Sequence, residues 1–372
     1  MTQLIDYKED LIIGICNKLQ LQPSLYELAE KRYHTIANII QNDSAFYSIE
    51  LNMYAHGSFR LKTTVKPLKD NEYDLDFVVE LPLNSTISPK VLYEHIYRIL
   101  ANDGIHNGMV EKKTRCIRVN YANEFHMDIM PGQLLNQWTK EIIVPDRELK
   151  NWYHHSNPKG FADWFEEQAK TRIIKVHERA ILLDSAEPLK EQEIVTRLEP
   201  LRRAVQLIKR YRDIFCDRTG KEPVRSIVLC TLMGEITSLY SSELDIISDF
   251  CAYVLSREKQ SNGRPFVVKN PVVEEVLSEK WTEDENNYRD FIYMVKSLNF
   301  AVDNLKKATI NRDIVKQLQD MFGEKVTNDV LLERAELLNE ARSNSSLYAD
   351  AKGVLNTAGM GVAVKSNTFY GK

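Results

Sequence analysis

Apolar residues at Leu4, Leu11, Ile12, Ile15 and Leu19 fall on one face of a helix. Ser24 with Glu27 three positions on predicts a capping box. Leu28, Tyr33, Ile36 and Ile39-Ile40 continue the second helical stripe. From Phe46 the pattern changes to strands and turns. Residues 46–53 read as a strand running into Tyr54-Ala55-His56-Gly57-Ser58, and residues 73–81 alternate with β-favouring side chains. Ser88-Pro89 predicts a helix start, with proline at the first helical position and the helix reaching about Leu100. Residues 115–121 and 125–130 read as two short strands of a hairpin around Ala122-Asn123-Glu124, the second stopped by Pro131-Gly132.

A polar loop is expected over 140–160. Beyond it the periodicity predicts helices over 161–183, 201–215, 226–240, 244–256, 287–309, 312–322 and 330–342. Pro188, the run Gly220-Lys221-Glu222-Pro223 and the run Ser261-Asn262-Gly263-Arg264-Pro265 are the breakers between them. After Ser343 large apolar residues become sparse until Phe369-Tyr370, which predicts a flexible tail. Helices, then a mixed sheet, then helices define an α+β chain with a helical second lobe.

With 43% hydrophobic and 27% charged residues in 372, the chain has the make-up of one large or two intimate soluble domains. The net charge of -4 excludes a surface basic throughout and leaves room for a local basic patch. No run reaches the ~18 apolar residues of a membrane span, and acids near the N-terminus do not suit a signal peptide. The expected location is the cytoplasm. Five scattered cysteines, Cys16, Cys116, Cys216, Cys230 and Cys251, with no C-x-x-C, read as reduced core thiols. The doublet His154-His155 reads as solvated loop residues, because neighbouring positions make a poor chelate.

The informative chemistry lies in Gly57-Ser58 and in Asp74-Leu75-Asp76, which begins sixteen positions after Ser58. On a strand, alternate side chains share a face. Asp74 and Asp76 therefore point one way, and Leu75, Phe77 and Val79 the other. Two adjacent carboxylates mark either a divalent-cation site or a solvated strand. In the later strand Phe125, Met127 and Ile129 line one face, and Asp128 shares the other with His126 and Met130. If the two strands are neighbours, three carboxylates converge, an arrangement that suits two metals clamping an in-line displacement.

Gly-Ser, D-x-D and a distant strand Asp together resemble the polymerase-β-type nucleotidyltransferase superfamily. Within it the chain is similar to the CD-NTases, the bacterial cyclic GMP–AMP synthase-like enzymes of anti-phage CBASS signalling. Further matches are His126–Gly132, Trp152, Ser156–Phe161, Trp164-Phe165, Leu207–Asp213, Ser226–Leu229, Asn270-Pro271 and Trp281. The resemblance implies a nucleotidyltransferase core with N-terminal helices over 1–184, a helical lobe over 185–342 and the tail over 343–372. It implies that Asp74, Asp76 and Asp128 bind two Mg²⁺ ions, or Mn²⁺ in their place, with Asp128 also serving the attacking ribose hydroxyl. Gly57 would admit the phosphates closely, and Ser58 would donate to them. Lys209 and Ser226 would hold the triphosphate. The basic helix face of Arg202, Arg203, Lys209, Arg210 and Arg212 also has a plain solvated reading.

For Lys62, Lys66 and Lys69 both phosphate contact and solvent stay open. For Tyr240, Trp164 and Trp152 the choice is between base stacking and core. ATP and other NTPs are the implied substrates, and the product is a cyclic di- or oligonucleotide messenger in antiviral defence. No DNA requirement and no membrane partner are implied. The tail, ending in Phe369-Tyr370-Gly371-Lys372, reads either as an ordinary frayed terminus or as a handle for a conjugation or regulatory partner, although related tails finish in a small residue. Two rivals are nucleotide addition to RNA or to a small molecule, and a catalytically silent sensor. The charge balance speaks against the first and the intact aspartates against the second.

Overall fold

The alternation read at residues 73–81 is realised in the computed structural model, which describes residues 7–21, 23–68, 73–121, 125–171, 198–236, 242–349, 355–356, 359 and 361–364. Helices α1 (Tyr7–Leu19) and α2 (Pro23–Gln41) open the chain, and Ser24 lies inside α2 rather than capping it. Where residues 46–53 suggested a strand, Ser44–Phe46 make a 3₁₀ turn instead. The Asp43 carboxylate accepts from the Ala45 amide at 2.9 Å, and this local bond holds the backbone in a turn. Strand β1 (Asn52–His56) follows and passes directly into the short helix α3 (Gly57–Arg60).

The sheet continues with β2 (Tyr73–Leu81), β3 (Val110–Lys112), β4 (Ile117–Tyr121) and β5 (Phe125–Asn136), with α4 (Pro89–Asn102) inserted after β2. Ser88 caps α4 as expected, its hydroxyl accepting from Val91 N at 3.4 Å. The strand order is β1-β2-β5-β4-β3, with β2 and β5 parallel and the remaining pairs antiparallel.

Pro131-Gly132 does not end β5. Both residues stay in register with Val79 and Glu80 of β2. Gly132 marks a close approach: a Cβ there would lie 3.0 Å from Ile142 Cδ1. Ile142 belongs to β6 (Glu141–Pro145), which pairs with β5 and with β7 (Tyr153–Ser156). The expected polar loop over 140–160 thus holds two strands. Ile142 and Val144 supply its buried face, and the apolar Ile143 between them hides the alternation.

Helices α2 and α4 cover one face of the sheet, packing Ile36, Ile40, Leu92 and Ile96 against Leu75, Phe77, Val119 and Met127. The opposite face looks toward the helical lobe. After α5 (Pro158–Thr171), that lobe is built from α6 (Pro200–Thr219), α7 (Ser226–Gly234), α8 (Glu243–Gln260), α9 (Glu279–Glu283), α10 (Glu285–Lys307), α11 (Asn311–Phe322) and α12 (Glu324–Ser343). Its hydrophobic cluster also takes in Leu11 and Ile15 of α1 and Phe161 and Phe165 of α5, which the sequence grouped with the nucleotidyltransferase core. Gly14 lets α1 pass close to α12, since a Cβ there would stand 2.5 Å from Val330 Cγ1.

The second half of the expected helix over 161–183 and the residues from 237 to 241, Tyr240 included, lie outside the described residues. After Ser343, strands β8 (Tyr348–Ala349), β9 (Leu355–Asn356) and β10 (Val362–Ala363) pair in the order β10-β8-β9, next to a buried Leu347. The pair Phe369-Tyr370 lies outside the described residues. All five cysteines are free thiols. Among the described residues no helix is long and apolar enough to cross a membrane.

Candidate active site

Parallel pairing of β2 and β5 sets Asp76 opposite Asp128 and Asp74 opposite His126. Leu75, Phe77, Met127 and Ile129 turn into the core beneath, so the three carboxylates share the upper face. Asp74 is at the rim with its side chain 63% exposed, whereas Asp128 is 15% exposed. Burial, with Asp128 and Asp74 adding their charges, pushes the Asp76 carboxyl up to about 7. Three carboxylates in this state call for a cation, and an all-oxygen donor set suits Mg²⁺ or Mn²⁺.

Gly57 stands above Asp76. It takes φ +59°, a conformation that strains any residue with a Cβ. A Cβ there would also meet Asp76 Oδ2 at 2.2 Å. The Ser58 hydroxyl lies 3.3 Å from the Thr64 hydroxyl. His56, paired in register with Asp76, is held down at about 4 by burial and is neutral at physiological pH.

Arg118 was missed by the sequence reading. It lies on β4 opposite Asp128. Its Nε donates to Asp128 Oδ1 at 2.7 Å and its Nη2 to Asp128 Oδ2 at 2.8 Å. Nη2 also donates to Asp74 Oδ1 at 3.2 Å. The Asp128 hydrogen bond holds the guanidinium firmly protonated, well above the usual arginine range. A signal for this existed. In a hairpin that pairs residue 121 with 125, residue 118 falls opposite 128. Among the described residues, no three acidic, thiol or imidazole side chains are grouped so as to hold an ion.

The carboxylates open into a cleft of about 1080 Å³ between sheet and helical lobe, lined also by Gly57, Ser58, Lys209 and Ser226. Every predicted site residue therefore faces one cavity. The basic face of α6 is neither solvated nor simply a phosphate grip. Arg202 donates to the Leu61 carbonyl, Gln206 to Thr64 O at 3.1 Å, Lys209 to Thr63 O at 2.9 Å and Arg210 to Lys66 O at 3.3 Å. Positions 202, 206, 209 and 210 share one helix face, and together they clamp the loop that follows α3. Lys209 is 4% exposed, and burial keeps its ammonium below the usual lysine range. Ser226 opens α7, and its hydroxyl accepts from Arg212 Nη1 at 3.0 Å.

The remaining candidates resolve differently. Trp164 is half-buried against the core: a Cβ on Gly234 would meet its ring at 2.3 Å. Trp152 packs edge-on against Tyr93, with the Lys90 ammonium 4.9 Å from its ring centre, away from the cleft. Lys62 and Lys66 do not line the cleft, and Lys69 lies outside the described residues. His154 and His155 sit on β7 and are not loop residues. His154 Nε2 lies 3.0 Å from Glu275 Oε1, which joins the sheet to the helical lobe. Against the burial that would raise it, hydrogen bonds from His154 and Asn270 hold Glu275 below the usual carboxylate range. His155 pairs with Glu141 at 2.6 Å.

Residues 13–169 match the family described as the Second Messenger Oligonucleotide or Dinucleotide Synthetase domain. The chain is 30% identical to a protein of Roseivirga ehrenbergii named c-di-GMP synthase, over 98% of this chain and 97% of that one. It is 24% identical to the cyclic dinucleotide synthase CdnG of Bradyrhizobium diazoefficiens, over 94% of this chain and 88% of the relative. The fold is similar to that of the B. diazoefficiens CD-NTase CdnG solved with GTP, with a TM-score of 0.71 at 21% identity over 89% of this chain and 100% of that one. Vibrio cholerae DncV, a cyclic AMP-GMP synthase solved with a linear intermediate, gives 0.57 at 15% identity over 86% of this chain and 87% of that one. The fold is that of the polymerase-β-type nucleotidyltransferases. The chain belongs to the CD-NTase family, the nucleotidyltransferases that make cyclic oligonucleotides.

Proposed function

We propose that the chain joins two molecules of GTP into cyclic di-GMP, releasing two pyrophosphates, with Asp74, Asp76 and Asp128 as the catalytic carboxylates. The observation that carries this reading is the register of Asp76 against Asp128 with Asp74 on the same face. The name of the Roseivirga relative supports GTP as the substrate and a cyclic dinucleotide as the product. ATP is the substrate to test beside it.

The three carboxylates would hold two Mg²⁺ ions, with Mn²⁺ as a substitute. When bound, such ions supply charge to the attacking ribose oxygen and to the leaving pyrophosphate. The chain's own residues do the positioning. Gly57 leaves space for phosphate beside Asp76. Ser58, Lys209 and Ser226 line the same cleft, where they would hold the triphosphate. The α6 clamp fixes the loop between Gly57 and Asp74, so donor and acceptor meet in one geometry. The product serves as a messenger in antiviral defence within the cytoplasm, and synthesis needs no DNA.

The test is mass spectrometry of products formed from the four NTPs with Mg²⁺, after phosphatase treatment. A phosphatase-resistant cyclic di-GMP is expected. A mixed-purine ring would correct the substrate, and only linear products would overturn cyclisation.

A further inference from the structure

The carboxylate site already contains a cation of the chain's own. Ile117 and Val119 are buried in the sheet core and fix β4, so Arg118 between them must project onto the carboxylate face. There it takes both oxygens of Asp128, at 2.7 and 2.8 Å, and one oxygen of Asp74, at 3.2 Å. A forked guanidinium on a carboxylate is the strong, geometrically specific form of this contact. Arg118 is hydrogen-bonded to Asp128 and Asp74 and not to Asp76. Arg60, Lys209, Arg212 and Arg225 also line the cleft, and Arg118 is the cation hydrogen-bonded to Asp128 and Asp74. Arg118 is 22% exposed on its side chain, so water screens its charge only in part.

A divalent ion drawn to Asp128 and Asp74 meets this guanidinium on the same oxygens, and the two cations repel. A triphosphate changes the balance, because its oxygens offer Arg118 another anionic partner in the same cleft. Resting on the metal-site reading above, we propose that Arg118 is the resident counter-cation of the carboxylate site. It holds Asp128 and Asp74 in place before substrate arrives, keeps the site closed to metal alone, and thereby makes metal and nucleotide enter together. Arg118 is a positioning residue in this scheme: it acts on the carboxylates and yields them when phosphate comes.

The test measures Mn²⁺ affinity directly, from the free-Mn²⁺ electron paramagnetic resonance signal. Wild type, Arg118→Gln and Arg118→Lys are each titrated with and without an α,β-methylene GTP analogue. Without nucleotide, Arg118→Gln should bind Mn²⁺ about tenfold tighter than wild type, within the usual range of coupling between two sites. Arg118→Lys keeps the charge and should stay close to wild type. With the analogue, the wild type should gain more Mn²⁺ affinity than Arg118→Gln does.

Equal or weaker Mn²⁺ affinity in Arg118→Gln without nucleotide would overturn the proposal, because Arg118 would then only brace its ligands. Thermal melts establish folding, with Arg118→Met as the second neutral variant. Failure of both neutral variants to fold would place Arg118 in the structural framework and also overturn it. A wild type that binds no Mn²⁺ even with the analogue would refute the metal-site reading itself, an outcome distinct from equal affinities.

Discussion

Gly57 and Asp76 are packed so closely that a methyl group on the Gly57 α-carbon would stand 2.2 Å from Asp76 Oδ2. The Gly-Ser turn and the D-x-D strand are therefore one unit. Gly57→Ala meets a φ of +59° as well as the carboxylate. Backbone strain of this kind costs about 1–3 kcal/mol, while displacing a reacting group by an ångström costs about a hundredfold in rate. The variant should remain folded with a lowered Tm and lose about a hundredfold in kcat. Steady-state kinetics beside a thermal melt check this, and wild-type turnover would separate the turn from the site.

The carboxylates should be needed for turnover and not for the fold. Asp74→Asn with Asp76→Asn keeps side-chain shape and removes two charges from the upper face of β2. Product should vanish while the circular dichroism spectrum stays that of the wild type. Asp128→Ala should likewise retain GTP binding by calorimetry and give no pyrophosphate. Substantial turnover in either variant contradicts the assignment.

The raised Asp76 carboxyl makes a pH prediction. An unperturbed aspartate titrates near ~3.9, whereas Asp76 in the fold titrates at about 7. Between these values the folded, metal-free chain holds a proton that the unfolded chain has lost. Its stability contribution therefore falls as pH rises from about 4 to about 7. In EDTA, the Tm of wild type should drop relative to that of Asp76→Asn across this window, with the widest gap above it. Mg²⁺ with nucleotide at pH 8 should close the gap, because a bound cation favours the ionised form. Parallel melting curves would show that Asp76 is not under this strain.

Two variants can separate the loop clamp made by Lys209 from its proposed hold on the triphosphate. Lys209→Met removes the donor to Thr63 O and a cation from the cleft wall. Gln206→Leu removes a donor to Thr64 O from the same clamp without lining the cleft. Each leaves a carbonyl unsatisfied at about 1–3 kcal/mol, so both should lower Tm. Only Lys209→Met should also raise the KM for GTP, by about tenfold or more, as expected for a lost charge-assisted contact. Matching KM values in the two variants would reduce Lys209 to a loop clamp.

Much of this site was legible before the fold was known, because strand alternation is a local rule. Leu75 and Phe77 between and after the aspartates decide which face Asp74 and Asp76 take, and Met127 and Ile129 do the same for Asp128. The pairing of β2 with β5 had to be supposed, since the two strands are separated by α4, β3 and β4. Arg118 was within reach through the hairpin register. The duty of α6 was not, because its donors end on carbonyls more than 140 residues away in sequence, as Lys209 does on Thr63. Nor was the pair His154–Glu275, 121 residues apart and on different lobes. Strands β6 and β7 were hidden because each is short: β6 reads as an unbroken apolar run, Ile142-Ile143-Val144, and β7 holds the polar His154-His155-Ser156.

The account stands most directly on one measurement: the phosphatase-resistant product formed from GTP and Mg²⁺ by the wild type and by Asp128→Ala, identified by mass. The wild type should yield cyclic di-GMP with two pyrophosphates released per ring, and the variant none. A linear dinucleotide as the only wild-type product, or equal product from both proteins, would contradict it.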